Sequence, residues 1–166
     1  MKALTSICLA LALLAGCGEK ERPAGPQEIT RSTACSLDGM ILADYPGPKG
    51  QIKYDKGEPD FFCDTMELMS IYLAPEQKRR VVGLYTHDMA QTDWKNPQDH
   101  WIDAKTASFV LGSRMKGSMG PTLATFARAE DAQAFAKQYG GRVLRFDQIT
   151  LEMVRLDGGV IRDEKM

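Results

Sequence analysis

The sequence has no basic stripe. Its 21 Lys and Arg are set against 22 Asp and Glu, for a formal net charge of −1, and that balance argues against nucleic acid as a partner. Beyond the amino terminus no apolar run is long enough to span a bilayer. Histidine occurs only twice, as His87 and His100. Neither stands in a nucleophile–His–carboxylate spacing that would mark a hydrolytic enzyme. Cysteine is scarce as well. Of four, Cys8 and Cys17 belong to the amino-terminal leader region, which leaves Cys35 and Cys63 for the folded part.

The leader itself is informative. Lys2 precedes an apolar stretch, residues 3–15, that is too short for a mature membrane span and has the layout of a secretory signal. It ends Leu14-Ala15-Gly16-Cys17, which resembles a bacterial lipobox in which Cys17 is acylated and becomes the first mature residue. Gly18 rather than Asp follows, which by analogy with bacterial lipoproteins favours the outer membrane. Two or more acyl chains anchor firmly where one is marginal. Residues 17–33 are charged, carry two prolines and show no apolar period; they read as a flexible tether. The remaining length suits one compact domain or two small ones.

The element order repeats. Residues 40–43 and 51–54 read as strands around the Tyr45-Pro46-Gly47-Pro48-Lys49-Gly50 turn. A helix over 61–73, capped by Asp60, puts Phe62, Met66, Met69 and Leu73 on one core face, with Cys63 in its first turn. Residues 81–86 form a strand. A long polar connection, residues 87–101, follows and holds both histidines. Strands at 106–111 and 122–126 then flank the Gly-rich loop 112–121, a helix covers 130–139, a strand covers 142–146, and a last helix lies within 148–156. The expected fold is therefore α+β: two tandem ββαβ-like units, at 34–98 and 99–157, with a signal at 1–16, the lipidated tether at 17–33 and a tail at 158–166. In this reading the two Gly/Pro loops are equivalent and face one another.

Soft donors stand out against this frame. Cys35 and Met40 lie beside the first turn. Met119 sits in Gly117-Ser118-Met119-Gly120-Pro121, a loop where a core role is hard to assign. Thiolate with thioether suits a soft ion such as Cu(I). Buried cysteine and core methionine are the plain alternative. Cys35 and Cys63 in an oxidising compartment also invite a structural disulfide. His100, between Asp99 and Trp101, is a further candidate donor; His87 reads as a solvated loop histidine.

The runs DGMILADYPGPKGQI, FFCDTMELM, HWIDAKTASFVLGS and GSMGPTLATFA, together with the lipobox, resemble the nitrous oxide reductase accessory lipoproteins, the NosL family. The likeness extends over nearly all of the mature chain. It implies a periplasm-facing Cu(I)-binding metallochaperone, not an enzyme, that serves assembly of the copper–sulfide centre of nitrous oxide reductase in denitrification. The implied partners are an ABC-type maturation complex in the membrane and, directly or indirectly, the reductase. Carried over onto this chain, the resemblance makes Cys35 the thiolate ligand and Met119 and Met40 thioether candidates. His100 is a weaker third donor, and Cys63 supports from behind or is structural. The implied fold is a pair of ββαβ units related in architecture to an organomercurial lyase. Two rivals stay open at this stage: a lyase-like enzyme using Cys35, Cys63 and Asp38 or Asp64, and a passive lipoprotein adaptor with a Cys35–Cys63 disulfide.

Overall fold

The computed structural model describes residues 25–156. The expected signal, Cys17 and the tail from 158 lie outside those residues. The elements in order are β1 (Gly50–Tyr54), β2 (Asp60–Phe62), α1 (Thr65–Leu73), β3 (Val81–His87), β4 (Trp101–Asp103), β5 (Ser108–Leu111), β6 (Lys116–Gly117), β7 (Gly120–Pro121), β8 (Ala124–Phe126), α2 (Ala129–Tyr139) and β9 (Arg142–Arg145). Short 3-10 turns occupy Leu42–Asp44, Phe146–Gln148 and Leu151–Val154.

All strand pairing is antiparallel. One sheet runs β2-β1-β3-β4, a second runs β8-β5-β9, and β6 and β7 form a small hairpin. In each larger sheet the first strand of the unit is central. It pairs with the second strand on one side and with the strand after the helix on the other. β1, β2, α1, β3 and β5, β8, α2, β9 are therefore the same ββαβ arrangement twice, as the element order predicts.

The internal boundaries differ from the sequence reading in several places. Residues 40–43 are not the first strand; one bridge, Ala34 to Ile41, closes a loop there and a 3-10 turn follows. α1 begins four residues later than expected. Asp64, not Asp60, caps it, accepting from the Met66 amide at 2.7 Å. The Phe61-Phe62 pair has gone into β2, because adjacent aromatics suit a strand paired with β1 better than a helix start. The two Gly/Pro loops are not equivalent. Residues 45–50 lead into β1, whereas 112–121 join the first and second strands of the second unit and fold into the β6-β7 hairpin. The expected terminal helix is two separate 3-10 turns, and the buried Val154 carries the second against α1.

β1 is buried along its whole length. Ile52 and Tyr54 enter the main core, while the opposite face is covered by the amino-terminal segment. Gln27 and Gln51 exchange two hydrogen bonds, 2.9 and 3.1 Å, and Lys53 Nζ donates to the Gly25 carbonyl. Trp101 Nε1 donates to Glu28. Residues 25–28, read from composition as tether, thus lie against the sheet. The main core joins both units through Leu42, Ile52, Phe62, Leu68, Met69 and Leu84 from the first and Phe109, Leu123 and Leu144 from the second. Threonines stitch the seam: Thr65 to Thr122 at 3.1 Å and Thr86 to Thr125 at 3.1 Å.

α1 approaches β1 closely because Gly50 has no side chain. A Cβ there would stand 2.6 Å from Leu68 Cβ, and Leu68 is fully buried. Gly50→Ala should lower folding stability by about 1–3 kcal/mol through overpacking, seen as an earlier urea midpoint with an unchanged slope.

Candidate metal centre

Cys35 is held by its own loop. Its amide donates to the Met40 carbonyl at 2.8 Å, its carbonyl accepts from Gly39 at 2.9 Å, and Asp38 accepts from the Met40 amide at 3.0 Å. Gly39 supplies the left-handed backbone that closes this turn. The loop is then docked on β2: the Ser36 amide donates to the Phe61 carbonyl at 2.7 Å, and the Phe61 amide donates to Ser36 Oγ at 3.0 Å. β2 delivers the chain directly to Cys63, and α1 begins two residues later, after the capping Asp64. Glu67, in the first turn of α1, faces inward and is buried.

The result is a cluster. The sulfurs of Cys35 and Cys63 and a carboxylate oxygen of Glu67 all lie within 4.8 Å of one another, and all three residues are buried. Both cysteines are free thiols. Cys35 Sγ lies 3.3 Å from Glu67 Oε2 and accepts from the Leu37 amide at 3.4 Å. Cys63 Sγ lies 3.6 Å from the Met40 carbonyl.

The two thiols are electrostatically unequal. Hydrogen bonding from the Cys63 thiol brings Cys35 down to about 6; burial opposes this, and the amides of Cys63, Leu37 and Asp38 assist. Cys63 is pushed upward by the same hydrogen bond, by burial and by the charges of Cys35 and Glu67. Burial, then the neighbouring Cys35 charge, lifts Glu67 to about 8. At neutral pH the cluster therefore holds one thiolate, one thiol and a carboxyl that retains its proton.

A buried cation lies behind it. Lys49 is fully buried, and its ammonium donates to the carbonyls of Tyr45, Pro46 and Cys63 at 2.6, 3.1 and 3.1 Å. Burial lowers its pKa to about 8, and Cys63, Asp64 and Glu67 resist that fall. Asp64 is buried too, and burial lifts it to about 6, against the Met66 amide, the Thr122 hydroxyl, Lys49 and the Ser118 amide.

The other sequence candidates lie apart in character. Met40 is half-buried and packs against the main core, of which Cys35 and Cys63 are part, and its carbonyl lies against Cys63 Sγ. Met119 stands at the tip of the β6-β7 hairpin and is 63% exposed. The base of that hairpin packs on Asp64, the residue after Cys63. His100 is exposed, and with Asp99 it takes a left-handed turn into β4. His87 is not a loop histidine. It ends β3 fully buried, accepts from the Lys49 amide at 3.2 Å through Nδ1 and stacks on Trp101 at 4.0 Å. Burial holds it neutral, with a pKa near 3.

The periodicity over 61–73 predicts Cys63 in a helical first turn and gives Glu67 no role. The spacing Cys63-Asp64-Thr65-Met66-Glu67 does carry a signal, since residues four apart at a helix start share one side. The meeting with Cys35 carries none, because it depends on a long-range pairing of residues 36 and 61.

The NosL family model matches residues 26–154. The chain belongs to the NosL family. It is 44% identical over 150 residues to the "Copper-binding lipoprotein NosL" of Stutzerimonas stutzeri, covering 88% of this chain and 78% of that one. It is 36% identical over 155 residues to the protein of the same description from Achromobacter cycloclastes, covering 89% and 80%. The crystal structure of the copper chaperone NosL from Shewanella denitrificans superposes with a TM-score of 0.74 at 41% identity, over 78% of this chain and 98% of that one. The α+β architecture is thus a NosL fold, and none of these relatives carries an enzyme's description.

Titrating the metal-free protein should reveal one thiolate by ultraviolet absorbance with a midpoint near pH 6, while the second thiol stays protonated well above its ordinary range. Cys63→Ala should move the Cys35 midpoint upward by removing the hydrogen bond that stabilises its anion. A Cys35 midpoint that stays put would show that Cys63 is not the cause.

Proposed function

We propose that this chain is a lipid-anchored chaperone of the bacterial cell envelope that carries Cu(I). The observation that carries the reading is the convergence of two otherwise distant sulfurs, Cys35 and Cys63, in a buried pocket beside Glu67. Cu(I) is soft and accepts two or three ligands, whereas Zn(II) in a closed site takes four. Cys35 is the anionic ligand. Cys63 joins it once its proton is lost to solvent on metal binding. Met119 is the thioether that completes the site from the hairpin. Met40 and His100 are weaker candidates, since the first is committed to core packing and the second is exposed.

This donor set suits a carrier. Buried thiolates retain the ion, and an exposed neutral thioether leaves first when a partner's donor arrives. The lipobox at residues 14–17 and the charged stretch after it put the carrier on a membrane, in this reading the outer one and facing the periplasm. The recipient is the machinery that builds the copper–sulfide centre of nitrous oxide reductase: an ABC-type maturation complex and, directly or through it, the reductase.

One observation favours a second reading. Two thiols beside a carboxyl that keeps its proton is also the equipment for protonolysis of a carbon–mercury bond, the sulfurs taking the metal and Glu67 the carbon's proton supply. Anaerobic incubation with an organomercurial, assayed for released hydrocarbon, decides it; none is expected.

Competition against a chromophoric Cu(I) chelator under anaerobic, reducing conditions should show one ion bound per chain. Cys35→Ala should weaken binding by roughly 10³-fold or more, since it removes the anionic ligand. X-ray absorption of the loaded protein should count two or three sulfur neighbours at Cu(I). A Cys35→Ala chain that competes like the parent overturns the assignment.

A further inference from the structure

The β6-β7 hairpin is fixed at its base and open at its tip. Trp94 Nε1 donates to the Lys116 carbonyl at 2.9 Å, and Gly47, whose own amide donates to the Trp94 carbonyl at 2.7 Å, packs against Gly117. The third support is Asp64. Its Oδ1 accepts from Thr122 Oγ1 at 2.7 Å, just past β7, as well as from the Met66 amide at the start of α1. Its Oδ2 abuts Gly117 so closely that a Cβ there would overlap the carboxylate, and would also stand 2.9 Å from Thr122 Cβ. One fully buried carboxylate therefore touches the residue before Ser118-Met119, the residue after β7 and the helix that carries Glu67, and it follows Cys63 in the chain.

We infer that Asp64 is a positioning residue for the metal site: it clamps the Met119 hairpin to the start of α1, so that the thioether is presented to the Cys35–Cys63–Glu67 cluster from a fixed base. The inference rests on the reading of Met119 as a ligand. The helix cap alone does not account for the arrangement. A capping carboxylate needs one amide, and an exposed Asp or Ser serves as well, whereas this one is buried and shared with a second element 58 positions along the chain. The glycine at 117 has the same explanation. Its backbone is not left-handed, so an alanine is acceptable there conformationally; what excludes a side chain is the carboxylate.

The test perturbs the contact from both sides in the full chain, with Cu(I) affinity read by chelator competition and sulfur neighbours by X-ray absorption. Gly117→Ala and Asp64→Asn should each weaken Cu(I) binding by roughly 10- to 100-fold, the range for residues that orient a ligand, and should each lose one sulfur neighbour. Asn keeps an acceptor for the Met66 and Thr122 donors, so the circular dichroism spectrum should be retained. Combining either variant with Met119→Ala should cost no more than Met119→Ala alone. If Met119→Ala weakens binding and Gly117→Ala and Asp64→Asn do not, or if the losses simply add, the clamp is refuted while the copper reading stands. If Met119→Ala has no effect and Cys35→Ala abolishes binding, Met119 is no ligand and the inference falls with it. Should Gly117→Ala fail to fold, Asp64→Asn decides alone.

Discussion

A single buried ammonium underlies the arrangement of this site. Lys49 spends all three of its donors on backbone carbonyls, two from the Tyr45-Pro46 turn and one from Cys63. It thereby ties the turn that launches β1 to the turn that launches α1. Its charge also sets what the pocket tolerates. Cys35, Asp64 and Glu67 are all acidic groups withdrawn from water, and an uncompensated buried charge is costly. Lys49 favours the ionised form of Asp64 and resists the upward push on Cys63, while burial and the Cys35 charge keep the proton on Glu67. The Cys63–Cys35 hydrogen bond then selects which thiol is the anion.

The duplicated fold is used asymmetrically. Each unit has a central first strand, but what surrounds that strand differs. In the first unit the connection between strands one and two is the short 55–59 turn, and the sheet gains β4 and the covering segment 25–28. In the second unit the same connection has grown into the hairpin that bears Met119. The first unit carries both cysteines and the carboxylate of the cluster, and the second carries the exposed Met119. The threonine pairs at 65–122 and 86–125 and the shared core keep the two halves in register, so the hairpin is placed by the seam as well as by its own base.

Local chemistry was legible in the sequence and long-range pairing was not. The Gly140-Gly141 end of α2, the Pro75 stop after α1 and the alternation around Ile52 each announce themselves within a few residues. The start of α1 was ambiguous because Asp60 and Asp64 are both competent caps, and only the pairing of Phe61-Phe62 with Gln51-Gly50 decides between them. Cys35 and Met119 stood out by residue type and context. The meeting of Cys63 with Cys35 has no local signal, because a cysteine near a helix start looks the same whether it faces core or another thiol. Lys49 and His87 were missed for the opposite reason: polar residues beside turns are usually solvated, and their burial follows from a sheet that no local pattern reveals.

The contrast in exposure between the sulfurs bears on how a cargo leaves. In the proposed reading, a site made only of the buried Cys35–Cys63–Glu67 pocket would hold an ion well and surrender it slowly, because a partner's donor could not reach it without opening the core. A site made only of exposed thioethers would exchange quickly and hold poorly. Placing the thiols beneath the chain's surface and one methionine at a hairpin tip separates the two tasks. In the proposed reading the buried pair sets affinity, and the exposed tip is where an incoming ligand first replaces an outgoing one. The hairpin must then be stiff at its base, since a floppy thioether would lose in ordering entropy what it gains in coordination. Trp94, Gly47 and Asp64 contact that base from three sides.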